Sequence, residues 1–207
     1  MAFDASLWGR GVLLAGLTPS ASLSGFVALV SLDNIPTEAI DAGSSSALNG
    51  GGDLRFSTDD AGVNQLPLEV VSFVTNTTPS SRSCQLWIRF PTYASGTREV
   101  YMFYNKAGES QPAVGATFGR NAVWVGSYAS YHFESVGTQT DVTGNGNDLA
   151  QSGTTTSVAG KVGNALELTS STAHFLRVGN VRSNTSFTAS AWIKVSSGAS
   201  SQYIFDD

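Results

Sequence analysis

The chain has 207 residues, 41% hydrophobic and only 13% charged, with a formal net charge of −5. The hydrophobic share is enough to build a core, whereas the acidic balance and the lack of any Lys/Arg cluster exclude a nucleic-acid binder that works by neutralising phosphate. Its 22 glycines and abundant Ser and Thr suit short strands joined by polar turns, and no segment sustains a 3.6-residue period, so the expected class is all-β.

From the N-terminus, residues 11–17 and 26–32 read as strands. The second, Phe26-Val27-Ala28-Leu29-Val30-Ser31-Leu32, is apolar on both faces and is expected to be central. Although 11–32 is the most apolar early stretch, Pro19, several serines and glycines interrupt it, so it falls short of the ~20 apolar residues of a spanning helix. Asp4 stands where a secretory signal carries its basic region, and the mature chain is expected to begin near Met1. Residues 34–40, with Pro36 in the first turn and Gly43 as a stop, predict one or two helical turns before a small-residue loop over 44–52.

Four strand candidates follow, at 53–56, 66–71, 84–91 and 99–105. Turn chemistry separates them at Asp59-Asp60-Ala61-Gly62, Asn76-Thr77-Thr78-Pro79 and Ala94-Ser95-Gly96. This spacing predicts an antiparallel β-sandwich over 1–106. The single cysteine, Cys84, is in phase with Leu86, Ile88 and Phe90 and reads as a buried thiol rather than a nucleophile. A connector without periodicity, 107–121, leads to the second half. There Trp124 and Tyr131-His132-Phe133-Glu134 precede a polar loop at 141–148. In the stretch 160–195 that organises this half, Phe187, Ala189, Ala191, Ile193 and Val195 share one face, and Thr188, Ser190, Trp192 and Lys194 the other, as in a half-buried strand. Residues 173–178 and 202–205 supply further strands.

Two resemblances join these readings. Trp8, Gly51-Gly52-Asp53-Leu54-Arg55-Phe56, Leu66-Pro67-Leu68-Glu69-Val70, Leu86-Trp87-Ile88-Arg89-Phe90-Pro91 and Val100-Tyr101-Met102-Phe103-Tyr104-Asn105 occur in that order over about 6–106. They resemble a domain of unknown function that commonly sits just before lectin-like modules. The Asp141-x-Thr143-Gly144-Asn145-Gly146-Asn147 loop, the Gly160-Lys161-Val162-Gly163-Asn164-Ala165-Leu166 turn and strand, and Thr188-Ala189-Ser190-Ala191-Trp192-Ile193 resemble the concanavalin A-like, laminin-G-like superfamily over about 122–207. That resemblance implies a jelly-roll sandwich. Only about 80 residues follow Trp124, against ~150 or more in the superfamily, so a longer polypeptide or a partner is expected to complete it.

Function is a weaker consequence of such a fold, since the superfamily holds sugar binders, protein binders, hydrolases and spacers. Calcium is the one cofactor the residues suggest. Asp141, Asn145, Asn147 and Asp148 offer hard oxygens on a glycine-containing loop, although Ser152 stands where a helix-loop-helix site has its Glu; the other reading is an Asx/Gly turn. For carbohydrate, the aromatic candidates are Trp192, on the polar face of its strand, and Trp87, flanked by Gln85 and Arg89; such residues are more often packing residues under a neighbouring loop or domain. Glu134, Glu167, Asp206 and Asp207 do not form the superfamily's hydrolytic strand motif. His132 and His174 lack a second ligand at zinc spacing, and there is no Gly-x-Ser-x-Gly elbow. Asn76 and Asn184 match the glycosylation sequon, expected here as chance matches in a Ser/Thr-rich chain.

The expectation is therefore a non-enzymatic bacteriophage virion protein, a tail fibre or tail-tip component, whose first domain is a mount and whose lectin-like domain is an adhesin toward host-surface glycan. Its partners would be other virion and tail proteins, with no nucleic acid and no membrane insertion. Fibre-like assemblies are often symmetric homo-oligomers, although no heptad seam demands one. The alternatives are a secreted or cell-surface bacterial carbohydrate-binding module, or a ligand-free structural spacer.

Overall fold

The computed structural model describes residues 3–14, 20–96, 99–168, 174–177 and 188–195. They are predominantly β, with eleven strands, all paired antiparallel, one four-residue helix and five isolated 3-10 turns.

The first half carries two sheets. In the four-stranded sheet, β1 (Arg10–Leu14) pairs with β7 (Val100–Tyr104), which pairs with β3 (Arg55–Ser57), which pairs with β4 (Gln65–Leu66). In the three-stranded sheet, β6 (Ser83–Tyr93) lies between β2 (Leu23–Ser31) and β5 (Leu68–Val74). Both sheets give their inward residues to one core. Leu14, Phe56, Leu66, Met102 and Tyr104 come from the first, and Val30, Leu68, Phe73, Leu86, Ile88 and Phe90 from the second. The registers Val30↔Leu86, Ala28↔Ile88 and Leu68↔Ile88 set these side chains opposite one another on the same face.

β2 is an edge strand of its sheet, and the expectation of a central position is corrected. A run that is apolar on both faces reports what lies above and below the sheet; position within the sheet is decided by hydrogen bonds at the strand's edges, which the pattern does not encode. The eleven-residue β6 takes the centre instead. The turns expected over 34–40 are short 3-10 turns, at Leu32–Asn34 and at Thr37–Ala39, the latter entered from Pro36. Of the expected strand at 53–56 only Arg55 onward is strand. Asp53 is instead a fully buried tether, accepting from the backbone N–H of Leu48 at 2.8 Å and of Lys106 at 3.0 Å, while its carbonyl accepts from the Trp8 indole at 2.8 Å.

Residues 107–121 lie against the first half. Arg55 donates to the Ser110 carbonyl at 2.8 Å and to the Glu109 carboxylate at 3.0 Å, and the Leu68 N–H donates to the Phe118 carbonyl at 3.1 Å. The helix α1 (Arg120–Val123) follows at once. In the second half β8 (Leu149–Ser152) pairs with β11 (His174–Arg177), and β9 (Thr155–Ala159) forms a hairpin with β10 (Asn164–Leu168). The hairpin turn closes with the Gly160 N–H on the Gly163 carbonyl, and Gly163 adopts φ 58°.

The half-buried strand expected over 187–195 is corrected for its described part. Residues 188–195 form no strand, and Ile193 and Val195 are 54% and 61% exposed. A strand exists through the edge bonds of a neighbour, and no described strand pairs with this segment. Phe187 and residues 202–205 lie outside the described residues.

Leu86 is fully buried at the centre of β6. Leu86→Ala is expected to destabilise the first half by about 2–5 kcal/mol, the range for emptying a packed core position, with a parallel drop in the chemical denaturation midpoint. A loss below about 0.5 kcal/mol would show that both sheets do not share one core at this point.

Candidate functional site

Alternation along β6 gives it two unlike faces. Leu86, Ile88 and Phe90 turn to the core, and Gln85, Trp87 and Arg89 turn outward. The register Glu69↔Trp87 adds the Glu69 carboxylate from β5 to that outer face. In an open sheet this face would meet water, yet Glu69 is only 4% exposed because the second half covers it.

The cover is built around Glu69. Its Oε2 accepts from the Trp124 indole N–H at 2.6 Å and lies 3.0 Å from His132 Nε2. A carboxylate oxygen only accepts, so the proton of the second bond sits on Nε2. The Trp87 ring packs against both partners, 5.5 Å from Trp124 and 6.1 Å from His132 between centroids, nearly parallel to the latter. Nearby, the β9–β10 turn rests on the same face. Glu134 Oε2 accepts from the Asn164 N–H at 3.0 Å, and a Cβ on Gly163 would overlap both Glu134 Oε1 and Gln85 Oε1. Glycine is required there twice, for its positive φ and for this close approach.

Trp87 is thus a docking residue between the halves, and its own indole N–H is buried without a partner. On that side its ring is engaged with Trp124 and His132 rather than open to a sugar. Trp192 stands at the other extreme, 80% exposed.

Asp141, Asn145, Asn147 and Asp148 do come together on one loop, in an arrangement that does not fit a resident cation. Asp141 is buried and its two oxygens accept from the N–H groups of Ser130, Thr143 and Asn147 and from the Thr143 hydroxyl, at 2.8–3.2 Å. Asp148 accepts from the Asp141 N–H at 2.8 Å, and the Asn145 and Asn147 amides donate to carbonyls of Ser127 and Tyr128. Calcium needs six to eight oxygens with lone pairs turned inward, and here the central carboxylate is ringed by donors. No group of three or more His, Cys, Asp or Glu among the described residues is placed to hold a metal ion. The sequence Asp-x-Thr-Gly-Asn-Gly-Asn makes this an Asx-type scaffold, with Gly144 and Gly146 both at positive φ.

The remaining candidates fall apart in space or into structural roles. Glu134 holds the hairpin turn, Glu167 is exposed on β10, and Asp206 and Asp207 lie outside the described residues. Burial pushes the Cys84 thiol up to about 12, and its S–H faces the Val30 carbonyl, so the thiolate needed for nucleophilic chemistry does not form at neutral pH. Sequence reasoning misses Glu69 and its pairing with His132. The only signal is a carboxylate in an otherwise apolar strand, which alternation alone assigns to solvent. No helix among the described residues is long and apolar enough to cross a membrane.

Neither a scan against protein-family models nor searches of the curated proteins and of the solved structures gave a significant match.

Two measurements check this site. Glu69→Ala leaves the Trp124 and His132 groups without their acceptor and is expected to weaken the docking by about 3 kcal/mol. The readout is hydrogen exchange, with protection lost over 124–134 and retained in β6; unchanged protection would mean that ring packing alone holds the halves together.

The second concerns Asp141. Burial pushes its carboxyl up, but the hydrogen bonds from Thr143, Asn147 and Ser130 together outweigh burial and hold it below the ordinary 3.8. A folded pKa below the unfolded one contributes stability that is complete above the unfolded value and is lost as pH falls through the folded value. The Thr143 and Asn147 amides should stay protected down to pH 3.8 and lose protection only on further acidification, and EDTA should change nothing. Loss of protection near neutral pH on adding EDTA would restore the calcium reading.

Proposed function

We propose that the chain is a non-enzymatic structural mount and adhesin displayed on the surface of a bacteriophage virion, as a tail fibre, tail tip or related component. The observation that carries this reading is the Glu69 clasp. It fixes a second, loop-rich module onto a packed β body through a buried carboxylate, an indole and an imidazole, which is how a support holds a presented module in one orientation.

In this reading the two sheets of the first half form an antiparallel sandwich. The second half is the opening of a concanavalin A-like jelly roll, as the Asp141–Asp148 loop and the Gly160–Asn164 turn resemble. The ligand is a host-surface glycan, and Trp192 supports that choice. An indole 80% exposed beside Ser190 and Lys194 offers the apolar face and flanking polar groups that sugar rings use. The virion setting rests on the resemblance to surface-displayed lectin-like modules and on the division into mount and presented module. A secreted bacterial carbohydrate-binding module is the same chemistry in another setting.

A ligand-free spacer is the second reading, favoured by one specific observation. Trp87 and the Asp141 loop, two of the features that suggested binding, are both engaged in holding the fold.

Trp192→Ala separates these readings, because exposed aromatic anchors at binding surfaces are worth about 2 kcal/mol or more. Binding of the labelled protein to bacterial cells and to an immobilised glycan panel should fall roughly 30-fold, with the melting temperature unchanged. Equal binding by wild type and variant to no surface at all would establish the spacer. Mass spectrometry and immunogold labelling of purified virions test the setting: absence of the gene product from the particles would remove the virion reading, and its presence without label would remove surface display.

A further inference from the structure

The docking of the two halves leaves a groove of about 620 Å³ beside the clasp, whose lining includes Pro67, Pro91, Arg89, Asn121, Trp124 and Asn145. This volume falls in the ~300–1,000 Å³ range of small-molecule sites. Three features distinguish the groove from a gap in packing.

First, it holds a cation without a counter-charge. Arg89 makes no ion pair among the described residues, and its Nε is buried with no hydrogen-bond partner. Its guanidinium is accommodated against Gly25, where a Cβ would stand 3.0 Å from Nη2 and where φ is 66°. The β2–β6 register runs unbroken past Gly25, from Ser24↔Thr92 to Phe26↔Phe90, so the lack of a side chain there leaves room for this guanidinium. A guanidinium without an ion-pair partner is free to take one, and a carboxylate is the group its planar fork matches in two parallel bonds.

Second, Asn121 lines the same groove and brings a side-chain amide that can meet a hydroxyl there. Third, Trp124 is held rigid. Its N–H is pinned on Glu69 at 2.6 Å, so the ring that borders the groove is oriented before any ligand arrives.

The other groove of the first half shows the contrast. There Arg55 and Lys106 are both neutralised by Glu109, at 3.0 and 2.8 Å, and Lys106 lies over the Trp8 ring, so its cations are already satisfied.

We propose that the groove between Arg89 and Trp124 is the binding site of an acidic saccharide, a sugar whose carboxylate pairs with the Arg89 guanidinium, whose ring lies along the Trp124 indole and whose hydroxyl meets Asn121. This rests on the glycan-directed reading above and adds to it both a ligand class and a place distinct from Trp192. A net charge of −5 works against anions in general, so selectivity comes from the arginine that lines the groove, Arg89, rather than from a diffuse field.

Calorimetric titration of the whole chain with trigalacturonate and with 3′-sialyllactose, and with galactotriose as the neutral control, tests the proposal. At least one acidic saccharide should bind, with galactotriose weaker by tenfold or more. Arg89→Gln should weaken the acidic ligand about tenfold or more, as expected for losing a charge-assisted bond, and leave galactotriose unchanged. Arg89→Lys, which keeps charge without the fork, should fall between. Circular dichroism and the melting temperature of both variants establish that they are folded. Equal acidic binding by wild type and Arg89→Gln overturns the proposal. Failure of both acidic saccharides to bind also overturns it; if glycan or cell attachment through Trp192 persists in that case, the adhesin reading stands without the groove.

Discussion

The arrangement of this protein depends on one buried carboxylate. Glu69 lies on the outer face of a three-stranded sheet, where solvation would ordinarily keep it in water, and it is covered by residues more than fifty positions away in sequence. Burying such a charge is tolerable only because two donors converge on it. The reverse also holds. The Trp124 indole and the His132 ring are fixed in position by the acceptor they share, and with them the α1 end of the connector and the start of the second half. Ring packing with Trp87 then excludes water from the site and strengthens both bonds.

β6 is the element that makes this possible. Eleven residues long and paired on both edges, it presents an apolar face to one core and a mixed aromatic and polar face to the second half. Its inward residues join two sheets, and its outward residues Gln85, Trp87 and Arg89 meet the hairpin turn at Gly163, the Trp124 cluster and the groove respectively. One strand thereby couples the stability of the first half to the placement of the second. Similar economy appears at Asp53 and Arg55, close neighbours that tie Trp8, Leu48, Lys106 and Ser110 to the four-stranded sheet with buried hydrogen bonds.

The polar loop at 141–148 illustrates how one set of residues supports two chemistries. Aspartate and asparagine oxygens on a glycine-rich turn are what a hard cation requires, and also what backbone N–H groups require when a loop closes on itself. The choice lies in which way the N–H groups point. Here those of Ser130, Thr143 and Asn147 point at Asp141, and the loop is a scaffold.

Much of the β character is legible in the amino-acid sequence. Period-2 runs at Leu86-Ile88-Phe90 and Val100-Met102-Tyr104, bounded by the Asn76-Pro79 and Ala94-Gly96 turns, specify strands and their inward faces, because local alternation and turn chemistry are properties of neighbouring residues. The packing of a partly buried Cys84 against the core and the glycine turn at 160–163 are legible on the same ground. What only the tertiary structure decided are the facts that depend on distant partners: that β6 and not β2 is central, that Trp87 is enclosed while Trp192 is open, and that 188–195 has no described strand beside it. Glu69 is the clearest case. Its position in β5 predicts the face it occupies, but whether that face meets water or a second module depends on residues 55 and 63 positions further along the chain, and no local pattern carries that information.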